Sequence, residues 1–137
     1  MRVATEAPDA YVLAADTVVA VGRRILPKVQ TEAEGRDCLR LLSGRAHKVL
    51  TAVAVAAPGG RSAHRLVESR LHFKRLTSHE VERYLGTGEG VGKAGGYAVQ
   101  GCAGAFVMSL QGSYPAVVGL PLYETCALLT GLGFRVP

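Results

Sequence analysis

The sequence has no tryptophan, and its aromatics are three phenylalanines and five tyrosines among 137 residues. With so few stacking side chains, and no RNP-like or helix-turn-helix signature, no nucleic-acid partner is expected. The three cysteines, Cys38, Cys102 and Cys126, are odd in number and lack CxxC spacing, which argues against a disulfide framework and for reduced thiols. Cys102 reads as a core thiol. No apolar run approaches the ~20 residues of a membrane span, and the opening MRVATEAPDAYV holds no signal-peptide h-region. The expectation is a cytoplasmic protein with no membrane partner. The four histidines, His47, His64, His72 and His79, show no HExxH spacing, so no structural zinc site is expected. No GxSxG elbow occurs either.

What is present is a globular composition, 48% apolar and 20% charged with 17 glycines, fitting a single domain over 1–137. Sixteen lysines and arginines against eleven acids give a net charge of +5. That balance favours anionic partners, although no run of like charges forms a binding arm. The run YVLAADTVVAV at 11–21 reads as a strand buried on both faces. Thr31 and Glu34 have the spacing of a capping box, opening a helix that buries Leu39 and Leu42 and stops at Ser43-Gly44. A strand over 47–57 and a turn at 58–60 follow. Val67, Ser69, Leu71 and Phe73 then alternate with charged and polar residues, as in a half-buried antiparallel strand. Thr77 and Glu80 form a second capping box, with Leu76 and Val81 as a hydrophobic staple. Beyond the glycine-rich stretch 86–96, short strands are predicted at 97–100 and 105–110. Pro121 opens a last helix with Leu122, Cys126 and Leu129 on its apolar face. The order predicts a mixed α/β domain.

Several residues in this outline could carry chemistry. Asp16 interrupts an apolar strand, where an ionised carboxylate is costly to bury without partners. A functional carboxylate and a strand-end cap are both open readings. Thr17 beside it offers a hydroxyl. Lys28 lies between the first strand and the first helix, where it could meet a phosphate as a point charge near a helix N-terminus. GTGEGVGKAGGYAVQG at 86–101 fails the P-loop pattern: Thr87 stands where the first glycine belongs, and Ala94 follows Lys93. It follows a helix rather than a strand, so a dinucleotide-binding turn is not indicated. A loop carrying backbone N–H groups and Lys93 remains. Gln100 at its end has both donor and acceptor and could read a base edge.

Together these segments resemble the Maf family. ADTVV at 15–19, Lys28, LLSGRAHKVLTAVAV at 41–55, KAGGYAVQG at 93–101 and GSYPAVVGLPLYET at 112–125 match its pattern in order and spacing. The resemblance implies a Maf/ITPase-like fold, an elongated mixed α/β sheet with two lobes around a central cleft. It implies hydrolysis of nucleoside triphosphates to monophosphate and pyrophosphate with a divalent metal, Mg or Mn, in nucleotide house-cleaning. The last two segments resemble the dTTP/UTP branch. Residue by residue, it implies Asp16 as general base, Thr17 and Gln100 in base selection, and Lys28 and Lys93 on the substrate; whether Asp16 serves as base, as metal ligand or as both is open. A homodimer is compatible with it.

The sequence also departs from the family pattern. The Ser-x-Ser-Pro-Arg-Arg segment and the acidic residue that precede the ADT strand in the family are not in these residues, so the domain reads as N-terminally truncated. Gly92 stands where an acidic residue is common, and Val29 where proline is usual. The alternative expectation is therefore an impaired fragment that binds nucleotide or a protein partner without turnover.

Overall fold

The computed structural model describes residues 9–137; the helix that the family resemblance implies ahead of the ADT strand, with Met1 falling within it, lies outside them. Five strands form one sheet: β1 (Val12–Val21), β2 (Arg24–Leu26), β3 (Ala46–Ala56), β4 (Ser62–Phe73) and β5 (Val107–Gln111). Their order is β2-β1-β3-β4-β5, and every pairing is antiparallel. Among the described residues four helices accompany them, α1 (Glu32–Leu42), α2 (Ser78–Thr87), α3 (Tyr114–Val118) and α4 (Leu122–Gly131), with a 3-10 turn at Cys102–Phe106. The mixed α/β class is as expected from the sequence. No helix among the described residues is long and apolar enough to cross a membrane.

The local rules explain most of this layout. Both capping boxes form reciprocally, Thr31 with Glu34 and Thr77 with Glu80, so two backbone N–H groups are satisfied at the start of each of these two helices. Leu76 and Val81 both join the main core. In β3 the odd-numbered residues from His47 to Val55 are buried while the even-numbered ones from Ala46 to Ala54 are half-buried or exposed, the period-2 signature of a sheet covered on one face. Val19, Val49, Leu71 and Phe73 pack under α1 and α2, with Leu39, Leu42 and Tyr84. Val53, Val55 and Leu128 form a second apolar cluster beneath α4. Thr51, fully buried, stands in β3 between the two clusters, so the two apolar bodies share one sheet face.

Four expectations are corrected. β1 is not buried on both faces: Leu13 to Asp16 are exposed, because β2 pairs only with Val19–Val21, and the rest of β1 has β3 alone beside it. Residues 97–100 form no strand: Tyr97 and Ala98 are irregular, and Val99 and Gln100 lie in a turn. The Ala98 N–H is taken by the Tyr84 hydroxyl at 3.0 Å, and Gly101 N–H closes back on Ala98 C=O, leaving no free ladder. In α4 the buried residues are Thr125 and Leu128, whereas Leu122 is exposed; counting only apolar residues hid the threonine in the inward stripe. Cys102 is exposed rather than core, because its backbone N–H is turned onto the Glu89 carboxylate at the start of the 3-10 turn.

Candidate active site

A cleft of about 210 Å³ opens beside β1. It is lined by Asp16, Thr17, Lys28, Lys93 and Gln100, with Val49, Val117 and Val118 among its apolar walls. The five residues singled out from the sequence thus come from three separate stretches of chain and meet at one opening.

β1 supplies the adjacent pair. Asp16 accepts the Thr17 N–H at 3.0 Å and has Lys28 Nζ 3.8 Å from its carboxylate. Both side chains are well exposed. The premise that Asp16 is buried is therefore corrected: its carboxylate stands on the uncovered part of β1 and is reachable by water and ligand. At this exposure the ion pair contributes little to stability, so both charges remain free to engage a bound group. Thr17 is half-buried, and its hydroxyl lies 3.2 Å from that of Thr51.

Lys28 and Lys93 are brought together by backbone. Lys28 forms an isolated antiparallel bridge with Ala94. Around it, Val29 N–H donates to Lys93 C=O at 3.1 Å, Gly92 N–H to Val29 C=O at 2.7 Å, and Gly95 N–H to Pro27 C=O at 3.1 Å. The glycine loop is therefore a clip onto the β2–α1 connection. Gly95 and Gly96 adopt φ of +73° and +76°, which explains the paired glycines there.

The far end of the clip is anchored from below by residues not expected from the sequence to matter. The His47 ring lies 2.6 Å from the Tyr97 hydroxyl and is stacked edge-on against Phe73 and Tyr97. Burial lowers the His47 pKa to about 4 and pushes the Tyr97 phenol up, so both are neutral in the ordinary pH range. Gln100 sits beyond this anchor, exposed on its turn. Cys102 gives no activated nucleophile: the neighbouring Glu89 raises its thiol pKa. The signal for the anchor was present in the sequence, a histidine at the head of a strand and a tyrosine after two glycines, but nothing in the spacing paired them.

Chemically, the cleft offers a free carboxylate, two ammonium groups, a hydroxyl and an amide above apolar walls. That set suits a ligand with an anionic end and a flat, hydrogen-bonding end.

A family model described as Maf-like protein matches residues 1–132. The chain is 65% identical over 133 residues to the dTTP/UTP pyrophosphatase of Caulobacter vibrioides, covering 97% of this chain and 69% of that protein. It is 62% identical over 128 residues to the dTTP/UTP pyrophosphatase of Maricaulis maris, covering 93% and 62%. A third relative of the same name, from Mesorhizobium japonicum, is 57% identical over 136 residues, covering 99% and 65%. The chain thus spans about two thirds of the length of these curated relatives.

Proposed function

The chain belongs to the Maf family, and from that premise we propose that it hydrolyses nucleoside triphosphates, dTTP and UTP foremost, to monophosphate and pyrophosphate. The observation that carries the reading is the meeting of Asp16, Thr17, Lys28, Lys93 and Gln100 around one cleft. The names of its relatives support the substrate class.

In this reading the two lysines hold the phosphates as point charges. Asp16 orients the attacking water and accepts its proton, which an exposed carboxylate at the cleft mouth can do. Thr17 and Gln100 meet the base edge, and the valine walls flank the ring. Phosphoryl chemistry asks mainly for such positioning and charge compensation.

The donor set decides how a divalent metal would be held. Among the described residues no group of three or more His, Cys, Asp or Glu side chains is gathered, so there is no protein cage. A hard ion of the Mg²⁺ or Mn²⁺ type, which keeps several waters and takes one or two carboxylates together with substrate phosphates, fits this arrangement, with Asp16 as its protein ligand. When bound, it would offset charge on the phosphate oxygens. A cytoplasmic location, action on free nucleotides rather than nucleic acid, and a homodimer go with this reading; the dimer is tested by solution mass.

The test is a panel of nucleoside triphosphates scored by product. Pyrophosphate and monophosphate from dTTP and UTP are expected. Orthophosphate and diphosphate would overturn the reaction type, and faster turnover of 7-methyl-GTP would overturn the branch. Binding of nucleotide with no turnover would make the chain a binding module.

A further inference from the structure

We propose that Thr51, outside the cleft lining, is a positioning residue that sets base specificity by fixing the direction of the Thr17 hydroxyl. The inference rests on the nucleotide-binding reading of the cleft. Thr51 is fully buried, and its hydroxyl donates to the Ala116 carbonyl at 2.6 Å. A hydroxyl has one hydrogen, and a carbonyl can only accept. The Thr51 oxygen can therefore only accept along its second contact, the 3.2 Å approach of the Thr17 hydroxyl. Thr17 must be the donor, and its single hydrogen points inward. What Thr17 turns to the cleft is lone pairs alone.

The far end of this relay is held firmly. Ala116 is in α3, whose first turn is capped by the Ser113 hydroxyl accepting Ala116 N–H at 3.1 Å. Ser113 N–H in turn donates to the buried Ser69 hydroxyl at 3.0 Å. The same helix contributes the Val117 and Val118 walls. The acceptor character of Thr17 is thus fixed by β3, β4 and α3 together, before any ligand arrives.

A cleft with a fixed acceptor distinguishes two pyrimidines of nearly equal shape. Uracil and thymine carry an N3–H donor between two carbonyls, which pairs with the Thr17 oxygen. Cytosine carries a bare N3, so two acceptors face each other. Gln100 does not decide the matter, because its exposed amide can rotate to offer either edge. One unmade hydrogen bond facing a lone pair corresponds to about tenfold in relative affinity.

The experiment compares kcat/KM and affinity for UTP and CTP in the unaltered chain and in Thr51→Val, Thr51→Ser and Thr17→Val. Thr51→Val keeps the side-chain shape and frees the Thr17 hydroxyl to turn outward. The UTP-to-CTP ratio should fall about tenfold, and Thr51→Ser should restore it. Thr17→Val, at a half-buried position, should collapse the ratio by itself, so the idea stays testable if Thr51→Val folds poorly. A merely structural Thr51 would lower both substrates alike and leave the ratio unchanged, which overturns the proposal. Equal handling of UTP and CTP by the unaltered chain also overturns it while leaving the nucleotide reading intact. Failure to bind either nucleotide overturns both.

Discussion

Replacing Gly95 with alanine probes whether the clip between the glycine loop and the β2–α1 connection holds the cleft. At φ +73° an L residue is strained, at about 1–2 kcal/mol. The new methyl would also lie 3.0, 3.1 and 3.2 Å from three side-chain atoms of Val19. Val19 is 2% exposed in the core of β1 and has little room to retreat; overpacking of this kind typically costs about 1–3 kcal/mol more. Gly92→Ala is the matched control: its φ is +79°, but nothing lies within 4 Å of the added carbon. The difference between the two variants, about 1–3 kcal/mol, isolates the Val19 contact. Urea unfolding measures it as a shift in midpoint at constant slope. If the loop yields instead of the core, the midpoint is kept and KM for the triphosphate rises, because Lys93 is carried on the same clip. Gly95→Ala indistinguishable from Gly92→Ala in both midpoint and KM would refute the reasoning.

Asp16→Asn should lower turnover about 10²–10⁴-fold while nucleotide still binds; full activity, read as pyrophosphate release, would remove Asp16 from the mechanism. Lys93→Met should weaken affinity for the triphosphate far more than for the free nucleoside, read as dissociation constants, and equal effects on the two would place Lys93 away from the phosphates. Chelation of divalent metal should stop turnover and added Mg²⁺ restore it; activity that survives chelation would count against the metal. His47, whose pKa is lowered to about 4 by burial, stays neutral when folded while the unfolded chain takes up a proton near pH 6.5. Stability should therefore fall as pH drops from about 6.5 to 4, by up to about 3 kcal/mol. His47→Gln should remove that part of the slope in denaturation measured across the range, and an unchanged slope would contradict the assignment.

What the sequence conveyed depended on the range of the physics involved. Capping boxes are local, three residues apart, so Thr31–Glu34 and Thr77–Glu80 could be read directly. Alternation in β4 was equally legible, since one covered face imposes period 2 on Ser69, Leu71 and Phe73. The strand predicted at 97–100 failed for a non-local reason: a tyrosine hydroxyl 14 residues away takes the Ala98 N–H. Asp16 was noticed because a carboxylate looked costly inside an apolar run. Its actual exposure follows from how far β2 reaches along β1, which no window of sequence contains. The supporting residues of the cleft were invisible for the same cause. Thr51 and His47 look like ordinary strand residues until Ala116 and Tyr97 are seen above them, 65 and 50 positions later.

The backbone clip that joins Pro27 and Val29 to Gly92, Lys93 and Gly95 has a consequence for how such a chain can vary. Its bonds run between main-chain groups, so most side-chain replacements at 27 or 94, outside the buried Val29, leave the separation of the two lysines untouched. A single inserted or deleted residue between Gly92 and Gly95 is a different event. It slips the register, and a one-residue slip turns a side chain to the opposite side of the ladder, taking the Lys93 ammonium out of the cleft with no change in composition. Within this short stretch Ala94 should accept substitution readily, the positive-φ glycines on either side of it should not, and length change should be accepted hardly at all.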